Sequence, residues 1–203
     1  MLKFIWRSIR CVLWATVFHP KLLMIPIFLF DRLVTPQWYK AWGAYCKSQV
    51  NQMDPTSRFL GRVYLNYPDG LTIGRHVRVG RGCFLFCLGG VTIGDGTVLS
   101  RNVTIYSANH NIDSNRIPYD NSYVCGAVTI GRGVWIGMNA LITPGVKIGD
   151  GAIIGMGTVV SKDVPDGTTV VGAPQRNVGQ RASASLKRMI DEKAYFASEW
   201  PDA

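Results

Sequence analysis

From Val128 the chain repeats every six residues, as VTIGRG, VWIGMN, ALITPG, VKIGDG, AIIGMG and TVVSKD. The third position of each hexad is aliphatic (Ile130, Ile136, Ile142, Ile148, Ile154, Val160), and the first is smaller (Val128, Val134, Ala140, Val146, Ala152, Thr158). A helix places like residues about 3.6 positions apart and an ordinary strand about 2 apart, so neither produces this pattern. A strict six requires a short strand and a corner, repeated, with side chains stacked inward coil upon coil. That is the signature of a parallel β-helix solenoid.

Counted backwards, Leu71/Ile73, Val77/Val79 and Cys83/Leu85 hold the step. The phase slips by two residues at Gly89-Gly90, and Val91/Ile93, Thr97/Leu99 and Val103/Ile105 resume it. With three hexads to a triangular turn, coils are expected at 71–90, 91–108, 128–145 and 146–163. The interval 109–127, NHNIDSNRIPYDNSYVCGA, has no sixfold pattern. Excursions of that length from a compact repeat are usually functional or disordered. The 22 glycines fall largely at corners, and no GxGxxG or GxxxxGK[ST] opens a helix, which argues against nucleotide sites of those types.

Residues 1–35 combine long apolar runs with Lys3, Arg7, Arg10, Lys21 and Arg32 against Asp31 alone. Neither IWRSIRCVLWATVF nor LLMIPIFLF reaches the roughly 20 residues that span a bilayer, and no small-residue cleavage site follows. Two readings remain: an interfacial anchor on an anionic leaflet, or helices packed as a cap on the open end of the solenoid. Residues 37–60 read as a helix and linker into the first coil. At the other end, VPDGTTVVGAPQRNV is a Pro/Gly-rich exit. Beyond it Leu186, Met189, Ile190, Ala194 and Phe196 recur at helical spacing, with Ser183 or Ser185 as cap. Such a helix is expected to cover the last coil. The expected organisation is a 1–60 apolar and basic helical extension with linker, a 61–178 β-helix with the inserted loop 109–127, and a 179–203 helical tail.

The net charge of +9 suits nucleic acid, an anionic membrane or a polyanionic small ligand. No nucleic-acid-binding motif is present, so no nucleic-acid partner is expected, and the clustering of cations in residues 1–35 points to membrane. Cys11, Cys46, Cys83, Cys87 and Cys125 are an odd set without CxxC spacing. They support neither a disulfide framework nor a zinc knuckle. Of the histidines, His19 lies in an apolar run and His76 at a corner, while His110 opens the long excursion. An imidazole there can serve as a general base, but a solvated loop side chain reads the same way, and the residues alone leave both open.

The segment NVTIYSANHNID and the run VWIGMNALITPGVKIGDGAIIGMGTVVSKDVPDGTTVVGAPQRNV resemble the hexapeptide-repeat acyltransferases. The closest branch holds the maltose, galactoside and nodulation acetyltransferases and the O-acetyltransferases of bacterial surface polysaccharides, and the likeness covers residues 91–178. It implies a mainly β fold, a left-handed parallel β-helix that departs from the usual right-handed crossover, here with an N-terminal apolar helical extension and a C-terminal helix. It also implies acetyl-CoA as donor, no metal, and a homotrimer with sites between subunits. By the same resemblance His110 is the general base of a direct transfer. Asn102 contacts the reacting groups, its other reading being a corner asparagine in the αL conformation. From the residues themselves, Asp113 either orients His110 by accepting an imidazole N–H or binds backbone within the loop, and Tyr106, with Tyr119 and Tyr123, is either an acceptor-stacking surface or packing. Met138 and Met156 (through main-chain groups), Ser161, Lys162, Pro174 and Arg176 meet coenzyme A, the two cations at its phosphates or adenine end.

Residues 1–60 do not resemble the N-terminal segment with which the maltose and galactoside enzymes help bind their acceptor. A short apolar, basic N-terminus suits work beside a membrane where lipid-linked saccharides are assembled. The expected function is therefore acetyl-CoA-dependent O-acetylation of a saccharide hydroxyl in bacterial surface polysaccharide synthesis, whether O-antigen, capsule or exopolysaccharide. The expected location is cytoplasmic, peripheral on the inner face of the cytoplasmic membrane. The rival enzyme is an N-acetyltransferase of a nucleotide-linked amino sugar. A non-catalytic membrane-docked β-helix scaffold is the rival of another class, and it would not need the His110 loop with the GAPQR exit.

Overall fold

The computed structural model describes residues 26, 28–30, 32–112, 119, 121–172, 176–180 and 183–193. The chain divides into two compact units, residues 1–40 and 41–203. In the first, Phe28, Phe30, Leu33 and Trp38 lie exposed on helical backbone, Leu33 at 64%. No described helix is long and apolar enough to cross a membrane. Residues 1–25, which carry most of the expected anchor, lie outside the described residues, as do Ala194 and Phe196 of the tail.

Helix α1 (Thr35–Ser48) begins in the first unit, and its second half belongs to the second. There Gly43 and Cys46 are buried. A Cβ on Gly43 would overlap the carbonyl of Phe59, so only glycine lets the helix lie this close. The Cys46 thiol donates to the Val63 carbonyl at 3.3 Å, and Lys47 Nζ donates to the Pro55 carbonyl at 2.7 Å. The Arg62 guanidinium sits 4.7 Å over the Trp42 ring. Residues 41–48 thus close the first end of the solenoid, as a cap should.

The strands follow the hexads. The first coil is β1 (Gln52–Met53), β2 (Arg58–Leu60) and β3 (Tyr64–Asn66). The second is β4 (Leu71–Ile73), β5 (Arg78–Gly80) and β6 (Phe84–Phe86), and the third β7 (Val91–Ile93), β8 (Val98–Leu99) and β9 (Thr104–Tyr106). A hairpin of β10 (Ala108–His110) and β11 (Tyr123–Cys125) intervenes. The fourth coil is β12 (Val128–Ile130), β13 (Trp135–Ile136) and β14 (Leu141–Ile142), and the fifth β15 (Lys147–Ile148), β16 (Ile153–Ile154) and β17 (Val159–Val160). A sixth begins with a bridge from Val164 to Ile148 and continues as β18 (Thr168–Val171). Equivalent strands pair in parallel into three sheets: A (β1, β4, β7, β12, β15), B (β2, β5, β8, β13, β16, β18) and C (β3, β6, β9, β14, β17). This is a left-handed parallel β-helix of about 6 turns.

Both repeating positions of each hexad face inward. Ile136, Ile142, Ile154 and Val160 are fully buried, and so are Ala140 and Ala152 from the first positions. Burial of these columns is the main stabilising term, at about 25 cal/mol per Å² of apolar surface. At the corners between sheets A and B, an aspartate of the third, fifth and sixth coils caps the coil before it. Asp95 Oδ1 accepts the Arg75 N–H at 2.7 Å, Asp150 Oδ1 the Arg132 N–H at 2.7 Å and Asp166 Oδ1 the Asp150 N–H at 2.9 Å. That is the physical content of the recurrent IGD sequence.

The solenoid starts earlier than residue 61. Sheet pairing carries β1 onto β4, β2 onto β5 and β3 onto β6, so 52–66 is a full coil where the hexads suggest a linker. The step is present there as Ser57/Phe59 and Val63/Leu65, but Ser57 puts a polar residue in an inward slot. Its hydroxyl is satisfied, donating to the Gly74 carbonyl at 2.6 Å and accepting the Val77 N–H at 2.7 Å. At the far end, the open edge of sheet B is covered by an antiparallel strand, β19 (Arg176–Gln180), which runs past the expected boundary at 178. The expected tail helix forms as α2 (Ser183–Asp191), buries Ile190 and sets Leu186 against Gly151.

Candidate active site

Through the five full coils the corners between sheets A and B, and between B and C, keep the six-residue step. The edge between C and A does not. After β3 it carries Tyr67 and the 3-10 turn Pro68–Gly70, after β6 the two-residue slip at Gly89-Gly90, and after β9 the long excursion. Three successive coils thus widen at one edge. The excursion is a hairpin in which His110 pairs with Tyr123. Buried Ser107 fixes its root, its hydroxyl accepting the Gly89 N–H at 2.9 Å and donating to the Phe86 carbonyl at 2.8 Å.

The hairpin holds the His110 ring between aromatics. It stacks on Tyr119 with centroids 3.8 Å apart and planes 10° from parallel, and lies 4.7 Å from Tyr123. Its Nδ1 is buried with no hydrogen-bond partner among the described residues. A buried polar atom left so is uncommon in folded proteins, and Thr158 Oγ1 shares the state. The rings continue outward. Tyr123 meets Phe86 at 5.8 Å, Phe86 stacks on Tyr106 at 5.3 Å, Tyr106 stacks on Phe84 at 5.5 Å, and Tyr67 meets Phe86 edge-on at 5.3 Å. Tyr67 has φ of 58°, the left-handed region, and precedes Pro68. A bulky residue there stores about 1–3 kcal/mol of strain, and a following proline disfavours it further.

The other expected site residues divide between two edges. Tyr106, Ser161 and Lys162 lie with His110 on the edge between C and A, Tyr106 and Ser161 in one column because Ile105, Ile142 and Val160 are in register. Asn102, Met138 and Met156 lie on the edge between B and C. Asn102 has φ of 57°, the geometry of a corner asparagine, with its Oδ1 over Gly82. Met138 and Met156 line a largely apolar groove of about 500 Å³ with Leu60, Val98, Trp135 and Ile153. The Met138 carbonyl accepts the Gly157 N–H at 2.8 Å. Arg176 pairs with Val171 beside the top of this groove. In one chain, therefore, β9 separates His110 from Asn102. Asp113 and Pro174 lie outside the described residues.

Sequence reasoning missed Tyr67, Phe84 and Phe86. The usable signal was the phase slip at Pro68–Gly70, identical in size to that at Gly89-Gly90, with large aromatics in outward slots. Burial pushes Cys83 and Cys87 up to about 12, so both stay protonated, whereas Cys125 on β11 is exposed.

Residues 120–162 match the family described as "Bacterial transferase hexapeptide (six repeats)", and residues 70–107 match "Hexapeptide repeat of succinyl-transferase". Over 135 residues the chain is 39% identical to nodulation protein L of Rhizobium meliloti (strain 1021), covering 66% of this chain and 73% of that protein. The chain belongs to the hexapeptide-repeat acetyltransferase family. It is an acyltransferase. It is 34% identical over 114 residues to the galactoside O-acetyltransferase of Escherichia coli (strain K12), a match spanning 56% of each. Among solved structures it is similar to a galactoside acetyltransferase in complex with coenzyme A, with a TM-score of 0.63, 28% identity and 70% of each chain covered. A hexapeptide-repeat acetyltransferase from Vibrio cholerae superposes with a TM-score of 0.62 at 25% identity, over 68% of this chain and 77% of that one. These likenesses bear out the fold and family expected from the repeats.

Proposed function

We propose that this chain transfers an acetyl group from acetyl-CoA to a saccharide hydroxyl, with His110 as general base. The observation that carries the reading is the His110 imidazole itself, clamped between two tyrosines at the widened edge with a buried, unpartnered Nδ1. The relatives support the reaction class, since one is named a galactoside O-acetyltransferase and one solved structure holds coenzyme A. The imidazole takes the acceptor's hydroxyl proton as that oxygen attacks the thioester carbonyl. The tetrahedral intermediate collapses with cleavage of the C–S bond, and the proton passes to the departing sulfur, leaving an acetyl ester and free coenzyme A.

The groove at Met138 and Met156 suits the pantetheine arm. Because it lies on a different edge from His110, the working unit is a homotrimer in which the groove edge of one protomer faces the His110 edge of the next. Lys162 and Arg176 then meet the anionic end of the donor. The exposed apolar residues of 28–38, with the cations of residues 1–35, favour a place on the inner face of the cytoplasmic membrane. There the acceptor is a lipid-linked saccharide of surface polysaccharide synthesis.

The test is acetyl-CoA turnover by the purified full chain against galactosides, glucosides, N-acetylglucosaminides, amino sugars and serine. Hydroxyl acceptors should be acetylated, and His110→Ala should lower turnover by about 10² or more with unchanged thermal stability. Transfer to amines alone, or near-wild-type activity of the variant, refutes the assignment.

A further inference from the structure

We propose that Tyr67 is a specificity-determining residue, one wall of an aromatic cleft that takes the apolar face of a pyranose ring and presents its hydroxyl to His110. The inference rests on the acetyl-transfer reading above and extends it to the acceptor. Tyr67 reaches His110 through two intervening rings only, Phe86 at 5.3 Å and Tyr123 at 5.8 Å from Phe86. Phe86 is buried and forms the floor, whereas Tyr67, Tyr119 and Tyr123 stay open, Tyr67 at 49%. The cleft thus has a closed aromatic base, two exposed tyrosine rims and the imidazole on one rim.

The backbone supplies a second, independent observation. Tyr67 holds φ of 58° although proline follows. Glycine would fit this corner without strain. The corner itself needs no ring, since its hydrogen bond runs between backbone groups, the Gly70 N–H donating to the Tyr67 carbonyl at 3.0 Å. A strained, exposed aromatic on the one edge widened in three successive coils is costly to stability and fits a binding role. Sugars offer what such a cleft recognises: an apolar C–H face for ring stacking, and hydroxyls at the rim for the tyrosine O–H groups.

Tyr67→Gly separates function from structure, because glycine removes the ring while relaxing the backbone. In the full chain it should keep or raise Tm, raise KM for the saccharide acceptor on the order of tenfold, and leave KM for acetyl-CoA unchanged. Tyr67→Phe should stay within a few-fold of wild type. Equal acceptor KM in wild type and Tyr67→Gly, or a parallel rise in both KM values, overturns the proposal. Binding of methyl galactoside, methyl glucoside and N-acetylglucosamine, followed by saturation-transfer NMR without donor, distinguishes it from the enzyme reading. If the wild-type protein transfers no acetyl group yet gives a saturation-transfer signal that disappears in Tyr67→Gly, the cleft is upheld and the acetyl-transfer reading refuted. A wild-type protein that gives no signal with any of these sugars refutes the cleft.

Discussion

His110 and Asn102 flank the same strand from opposite ends: Asn102 turns the corner into β9, and the hairpin carrying His110 leaves from its other end. A three-residue strand spans about 10 Å along the sheet, and the proposed homotrimer joins the two edges across neighbouring protomers. His110→Ala and Met138→Arg, the second filling the groove, should each lose about 10² or more of activity. Subunits of the two co-refolded together should regain a measurable fraction, and light scattering should give the mass of three chains. Mixed assemblies as inactive as their parents would rule out a shared site.

The corners give a stability test. A Cβ on Gly94 would lie 2.6 Å from the carbonyl carbon of Gly131 in the next coil. That neighbour is backbone and cannot rotate away, so Gly94→Ala should cost about 1–3 kcal/mol or more in urea unfolding. Gly145, with nothing within 4 Å and φ of 85°, is the control. Its alanine variant bears only the left-handed conformation, about 1–2 kcal/mol. A neutral Gly94→Ala would mean the coils can separate locally.

The columns of Ile130, Ile136 and Ile142 were legible because inward positions in a solenoid tolerate little but aliphatic side chains. The first coil was not, since Ser57 satisfies its hydroxyl with two backbone groups and so occupies a slot the pattern assigns to an apolar residue. The sequence does place a helix after Ser183, yet the exposed sheet edge was taken by β19, whose Arg176, Asn177 and Gly179 carry no strand periodicity. His110 was singled out through resemblance, as the base proposed above. Tyr67 was not, because its meaning depends on rings from three coils that only the register brings together.

Thiol chemistry checks the burial. Cys83 and Cys87 are held near 12 by desolvation, and the Cys83 thiol donates to the Ser100 carbonyl at 3.1 Å. Peptide mapping after native alkylation at pH 8 should find Cys125 modified and Cys46, Cys83 and Cys87 protected. The linkage has a definite sign. Above the ordinary thiol pKa, about 8.5, the unfolded chain loses protons that the folded chain keeps, so stability falls as pH rises from there toward 12. Tm should therefore decline across pH 9–11 beyond what a Cys83→Ala/Cys87→Ala variant shows. Rapid alkylation of Cys83 would contradict the packed core.

The N-terminus divides in its physical role. Gly43, Cys46 and Lys47 are tied to the first coil, while Phe28, Leu29, Phe30, Leu33 and Val34 are exposed. Residues 1–35 also carry Lys3, Arg7, Arg10, Lys21 and Arg32, each worth on the order of 1 kcal/mol near an anionic surface. Deleting residues 1–35 keeps the cap and removes the exposed apolar run. The truncated chain should retain its Tm and its turnover of a soluble saccharide, but should no longer sediment with phosphatidylserine vesicles. The full chain should bind those vesicles at low salt and release as the Debye length shrinks from about 30 Å at 0.01 M to about 8 Å at 0.15 M. Full-length protein that ignores vesicles at low salt, or a truncation that unfolds the solenoid, would make the whole segment a packed cap and remove the support for a lipid-linked acceptor.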